Sequence, residues 1–422
     1  MRVLIVNTSE RTGGAAIAAH RLMEALIDND IKAKMLVRDK ETDCLTVATI
    51  GAPWYGKWCF LWERVVVWAA NGFHRHRLFE VDAAQVGYDI TKTPEFKQAD
   101  ILHLNWVNQG LLSLDNLEKI IKSGKPIVWT MHDMWTFTGI CHYNGSCEKY
   151  RTQCHHCPVL YNGGSKNDLS ARTFLRKQKL LSHANIHYVA CSNWLAGIAQ
   201  QSTLLSGHPI DSIPNAINTN LYRPSNKIEA RLRCHLPKDK KLILFTAYNT
   251  TSVIKGLSYL EEACRRLVAH HPELVNQLGI IAVGKESMLL ADRFPFFVYG
   301  MNYVSDERKM VNIYNAADLF VIPSLQDNLP NTIVESMACG IPCVGFNTGG
   351  IPQMIDHLQN GYVAQYKEAD DLAKGILWIL THENYEELSK AACRKARNTY
   401  SEQTIAKKYI NVYDKITNSE NG

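Results

Sequence analysis

Two acids, Asp327 and Glu335, stand eight positions apart around the predicted start of a helix. The apolar run Asp318-Leu-Phe-Val-Ile322 has the character of a buried parallel strand, and Pro323-Ser324 end it. A polar loop follows from Gln326 to Pro330. Asn331 or Thr332 then opens a helix, which Gly340 stops and Pro342 keeps stopped. Cys343-Val-Gly-Phe346 is the next strand, and Asn347-Thr-Gly-Gly350 is a second turn of small residues. The amides and positive end of such a helix suit an anion such as a diphosphate. Acids do not bind phosphates, so Asp327 and Glu335 must face hydroxyls or positive charge. A sugar diphosphate offers groups for both. Taken alone, the pair reads equally well as a loop acid and a solvated helix acid.

Other residues gather at similar places. Lys255-Gly256 sits between the strand Lys241–Ala247 and a helix from Leu257, where a lysine can neutralise a phosphate. Asp100–Leu104 is a strand with Asn105-Trp106 at its carboxyl end, and Lys125–Met131 is another, followed by His132-Asp133. Ligands of open α/β sheets lie beyond the carboxyl ends of strands. His103, Asn105, Trp106, His132 and Trp135 are therefore expected on a cleft rim, with Asp133 anchoring the loop. Gly13-Gly14 lies between the first strand, Arg2–Val6, and a helix of small residues from Ala15 to Ile27. The third glycine of a dinucleotide fingerprint is missing, so a plain turn is the simpler reading.

Two segments fit no catalytic role. Cys141, Cys147, Cys154 and Cys157 fall within seventeen residues, with His142, His155 and His156 beside them. In a reducing compartment this spacing suits a structural zinc, with a disulfide pair or free thiols as alternatives. Residues 54–79 interleave Trp54, Tyr55, Trp58, Phe60, Trp62, Trp68 and Phe73 with Lys57, Arg64, His74, Arg75, His76 and Arg77. They read either as an amphipathic helix packed on its own domain or as a face for a membrane surface or lipid acceptor.

The elements that carry these residues alternate strand and helix twice over. A chain of 422 residues is long for one core and suits two or three domains. The turn-rich stretch from Asp211 to Pro224 is the expected junction. This divides the chain into an α/β domain over 1–215, with a cysteine-rich insertion at 141–157, and a second over 216–400. Residues 401–422 are expected to pack back on the first. Asn360-Gly361-Tyr-Val reads as a turn. A net charge of +5 gives no strong basic face, so nucleic acid is not an expected partner. The start lacks the order of a signal peptide, and no run reaches the ~20 apolar residues of a spanning helix. The expected location is cytoplasmic, with peripheral contact at the inner face of a membrane as a variant.

The run Pro323-Ser-x-x-Asp327-x7-Glu335-Ser-Met-Ala-x-Gly340-x-Pro342 resembles the signature of retaining family-4 glycosyltransferases, one of the group 1 glycosyl transferases. His132-Asp-Met-Trp-x-Phe-Thr-Gly139 resembles a pattern in a polysaccharide-assembly branch of that family. The resemblance implies the GT-B architecture: two Rossmann-like doubly wound domains facing across a cleft, with a last helix crossing back. It implies transfer of a sugar from a nucleoside-diphosphate sugar to a hydroxyl of a glycan or lipid-linked acceptor, with configuration retained and without a catalytic metal. Capsule, exopolysaccharide or O-antigen synthesis is the implied setting. His132, Lys255, Asp327 and Glu335 take the catalytic places. Gly13, Gly14, Asn249, Gly256, Gly300, Asn331, Thr332 and Glu335 line the donor, and His103, Asn105, Trp106 and Trp135 the acceptor side. Two departures stand out. The first acid is Asp327 where the family has Glu, and Asn249 stands where it has a phosphate-clamping arginine. Lys285 and Arg11 are candidates to supply that charge. The competing readings are a GT-B epimerase and a binding protein without catalysis.

Overall fold

The computed structural model describes residues 1–418, so the last four residues of the stretch 401–422 expected to pack back lie outside the described residues. The chain divides into two units. The first holds Met1–Pro214 together with the chain from Ile405 onward, and the second holds Asn215–Thr404.

The first unit is built on strands β1 (Arg2–Ser9), β2 (Lys32–Asp39), β3 (Val47–Thr49), β4 (Ile101–Leu104), β5 (Ile127–Met131), β6 (Ile186–Ala190) and β7 (Ile210–Ser212). Their order in the sheet is β3-β2-β1-β4-β5-β6-β7, and each pairing is parallel. Every residue of β4 and β5 is buried, as a parallel sheet covered on both faces requires. Helix α1 (Gly14–Ile27) follows β1, and α2 (Pro53–Ala70) follows β3.

The second unit repeats the plan with β8 (Lys241–Asn249), β9 (Leu278–Lys285), β10 (Val298–Met301), β11 (Leu319–Ile322), β12 (Cys343–Phe346) and β13 (Gly361–Ala364). The order is β10-β9-β8-β11-β12-β13, again parallel throughout. The expected turn at Asn360–Val363 is corrected here. Gly361 pairs with Cys343 and continues as the edge strand β13. A three-residue apolar stretch after a glycine carries no sequence signal for a strand, because the pairing comes from β12.

In each sheet the chain runs outward in one direction, then returns to the middle and runs outward in the other. The reversal lies between β1 and β4 in the first sheet, where Val3 pairs with Ile101, and between β8 and β11 in the second, where Leu319 pairs with Ile243. At such a switch point two adjacent strands send their carboxyl-end loops apart and leave a crevice. The loops after β1 and β4 carry Gly13-Gly14 and Asn105-Trp106. Those after β8 and β11 carry Lys255-Gly256 and Asp327.

Candidate active site

Lys255 and Asp327 meet because β8 and β11 are neighbours. Lys255 Nζ lies 2.7 Å from Asp327 Oδ2, and Ser324 Oγ donates to the same oxygen at 3.3 Å. The loop bearing Asp327 is held on both sides. Leu325 N donates to Ile254 O at 2.8 Å, and Gly350 N donates to Asp327 O at 3.2 Å. Both flanking contacts depend on glycine. Gly256, at φ 68°, has its hydrogen where a Cβ would overlap the Pro323 carbonyl oxygen. Gly349, at φ 57°, stands likewise against the carbonyl of Asp327. Any side chain at either place would push the loop off its seat, apart from the strain of a left-handed backbone.

The helix Asn331–Ala338 begins just after this loop, with Pro330 at its N-cap and no side-chain cap. Asn331 Oδ1 accepts from Asn215 Nδ2 at 2.9 Å. Glu335 is buried and accepts from the hydroxyl of Tyr314 at 2.7 Å. Burial, reinforced by the Glu335 carboxylate, lifts the Tyr314 hydroxyl far above the usual range, so it stays a donor. Tyr314 was not among the expected site residues. A tyrosine on the buried stripe of a helix reads as core, and only the fold brings its hydroxyl to Glu335.

The expected donor residues divide. Asn249 ends β8, and its Oδ1 accepts from Thr251 N at 3.0 Å and Thr251 Oγ1 at 2.8 Å, so it closes its own turn. Its partner across the strands is Lys285, whose Nζ meets the Tyr248 hydroxyl at 2.7 Å. A cation therefore stands beside the position of the missing arginine. Arg11 lies against His20 instead, Nη2 to Nε2 3.1 Å. Gly13 and Gly14 open α1, and Gly300 lies within β10. Thr332 stands in the first turn of the Asn331 helix, half-buried.

In the first unit, His132 directly follows β5. Its Nε2 is 2.9 Å from Asn105 Oδ1 and its Nδ1 3.5 Å from Cys191 Sγ. Burial pushes the imidazole down to about 4, so it is neutral at pH 7. With Nε2–H donating to Asn105, the amide nitrogen Nδ2 of Asn105 is buried with no partner. Asp133 anchors the loop. It accepts from Trp106 Nε1 and from Trp135 N, both at 2.8 Å, and lies 2.7 Å from His142 Nδ1. Burial opposes the charge on both members of that last pair. Their mutual attraction prevails, lowering Asp133 and raising His142.

Two acceptor-side expectations are corrected. His103 has no exposed surface, and its ring nitrogens meet the hydroxyls of Tyr413 at 2.6 Å and Thr130 at 2.7 Å. Alternation along β4 turns it to the helix Glu402–Asn418 rather than to the strand end. Trp135 is also buried, its Nε1 donating to Asp82 O at 2.8 Å. Lys177 Nζ sits 3.4 Å over its ring and donates to Trp135 O and Thr138 O at 2.5 and 3.1 Å. Trp135 and Lys177 thus brace the loop after His132 from inside.

Cys141, Cys147, Cys154 and Cys157 line one cavity, together with His155, Lys149 and Tyr150. Among the described residues no group of three or more His, Cys, Asp or Glu is set for a metal ion. Burial raises the thiols of Cys141, Cys154 and Cys157, the second to about 12.

Residues 240–382 match the family model for glycosyl transferases group 1. The putative colanic acid biosynthesis glycosyl transferase WcaC of Escherichia coli K12 is 24% identical over 343 residues, 78% of either chain. An uncharacterised glycosyltransferase of Methanocaldococcus jannaschii is 25% identical over 79% of this chain and 89% of its own. Among solved structures, sucrose-phosphate synthase from Thermosynechococcus elongatus superposes with a TM-score of 0.69 at 17% identity, covering 99% of each chain. Anabaena HepE in complex with UDP and glucose gives 0.62 at 17% identity, over 98% of this chain and 100% of that one. The second unit thus carries a match to a group 1 glycosyl transferase domain, and the chain has the GT-B fold, with glycosyltransferases among its relatives.

Proposed function

We propose that the protein is a retaining glycosyltransferase that moves a sugar from a nucleoside-diphosphate sugar to a hydroxyl of a glycan or lipid-linked acceptor in polysaccharide assembly. The observation that carries this reading is the Lys255–Asp327 pair, held by two glycine contacts at the switch point, with the buried Glu335 one turn into the helix that follows. Two similar proteins support this: WcaC, named for colanic acid biosynthesis, bears on the setting, and HepE, solved with UDP and glucose, on the donor.

In this reading Lys255 and the amides at the start of the Asn331 helix take the diphosphate, and Lys285 supplies the charge absent at Asn249. Glu335 accepts from ribose hydroxyls and Asp327 from hydroxyls of the sugar. On the first unit, His132 and the unpartnered Nδ2 of Asn105 present polar groups of the kind that suit sugar hydroxyls. No side chain is assigned as a covalent nucleophile. The bond from the anomeric carbon to the diphosphate breaks as the acceptor oxygen bonds to the same face. The acceptor proton passes to the departing phosphate oxygen. No metal takes part in this step. A structural zinc at the four cysteines is a separate proposal, resting on their common cavity.

The test is donor hydrolysis by the purified protein, screened over nucleoside-diphosphate sugars. One donor should be cleaved by the wild type and spared by Glu335→Ala. Equal cleavage by both would remove Glu335 from the site, and no cleavage of any donor would favour a binding protein.

A further inference from the structure

Helix α2 is turned inside out. Its buried residues include Glu63 and Arg64, while Trp54, Trp58, Leu61, Trp62, Val65 and Trp68 are exposed, Trp54 at 71% and Leu61 at 60%. At 100° per residue these six fall within an arc of about 120°. Glu63 lies opposite, where it accepts from the amides of Gln85 and Val86. Arg64 is buried beside Asp82 and donates to the carbonyls of Leu78 and Val81. The charged side of the helix is therefore turned into the protein, where Glu63 Oε1 and the Arg64 Nη atoms find partners while Glu63 Oε2 and Arg64 Nε find none, and the aromatic side is left to the surroundings. Tyr55, Trp58 and Trp62 stack in a row, 5.7 and 5.8 Å between centroids, so the face is pre-ordered.

Its border is cationic. Lys57 is exposed beside the arc, and after the helix the whole run Gly72–Arg77 is exposed, with His74, Arg75, His76 and Arg77. Phe73 and Phe79 are exposed at 65% and 63%. Within 54–79 the only acid is the buried Glu63; Glu80, just beyond, pairs with Arg77 at 3.7 Å. Indole rings with a rim of cations and no exposed acid match an anionic headgroup layer, where rings enter the interface and cations meet phosphates. Among the described residues no helix is long and apolar enough to cross a membrane.

We infer that the outer face of α2 and the basic run 72–79 dock the protein on an anionic lipid surface, with the helix lying in the headgroup layer. A water-facing helix has no reason to expose four tryptophans on one arc while burying a glutamate and an arginine.

The experiment is co-sedimentation of the full chain with vesicles of phosphatidylcholine alone and with phosphatidylglycerol added, at low and high salt, beside sedimentation velocity without lipid. Two variants are compared, Trp54→Ser/Trp58→Ser/Trp62→Ser and Arg75→Glu/Arg77→Glu, each checked for an unchanged melting transition. Binding should require phosphatidylglycerol, weaken with salt, and fall at least tenfold in both variants. Absence of binding to phosphatidylglycerol vesicles would overturn the inference. So would undiminished binding by the tryptophan variant. A lipid-free dimer that this variant dissolves, without vesicle binding, would overturn it in favour of a second copy of the chain.

Discussion

Lys255 Nζ rests 2.7 Å from Asp327 Oδ2, so the cation assigned to phosphate and the acid assigned to sugar neutralise each other. A diphosphate must share this lysine with Asp327, while a complete donor gives the acid hydroxyls in exchange. Asp327→Asn separates the two effects. A charge-assisted hydrogen bond contributes about 1.5–3 kcal/mol, or roughly 10–100-fold. Turnover of the sugar donor should fall by about that factor, while affinity for the bare nucleoside diphosphate rises. Calorimetry and a turnover assay on one preparation read both. If diphosphate affinity falls along with turnover, Asp327 is holding the lysine in place rather than reading the sugar.

Tyr314 touches Glu335 at 2.7 Å from a helix on the same unit. Tyr314→Phe leaves the carboxylate in place with one donor fewer. The expected result is a rise in donor KM of about 3–10-fold with kcat within about twofold, the pattern of a lost positioning contact. A collapse of kcat at constant KM would instead mean that the hydroxyl acts in the transition state.

His103 gives a pH signature. Burial, with His132 adding in the same direction, lowers its imidazole from 6.5 to about 3. A depressed folded-state value stabilises above the unfolded value, and that stability drains as pH falls from about 6.5 towards 3. The melting temperature of the wild type should therefore drop between pH 7 and pH 5 more steeply than that of His103→Asn, followed by calorimetry. Parallel curves would show that another group controls the acid limb.

Much of the second unit was readable from its sequence, because residues 318–350 pack strand, loop, cap, helix and stop signals into one run. The switch-point placement of Lys255 and Asp327 followed once β8 and β11 were read as strands. What was hidden needed pairing between distant segments. Gly349 reads as an ordinary turn glycine until Asp327 is seen against it. Tyr314 and Lys177 read as core and surface until partners appear. His103 and Trp135 misled because a strand end suggests exposure: alternation along β4 turns His103 to the Glu402–Asn418 helix, and Asp82 and Lys177 hold Trp135 inside.

The four cysteines share a cavity without being set at metal-binding geometry, so a zinc ion would have to draw them together. Elemental analysis of protein purified without chelator should find about one zinc per chain, lost with unfolding in Cys154→Ser/Cys157→Ser. Metal-free protein with the same melting transition would leave the cavity as packed thiols.

The central claim is that Lys255 and the start of the Asn331 helix hold a diphosphate. Its most direct test is calorimetric titration of wild type and Lys255→Ala with UDP, GDP and ADP, each beside its parent nucleoside. One diphosphate should bind the wild type at least tenfold more tightly than its nucleoside, and that margin should vanish in Lys255→Ala while the melting transition stays within a few degrees. Failure of every diphosphate to outbind its nucleoside, or an undiminished margin in the variant, would contradict it.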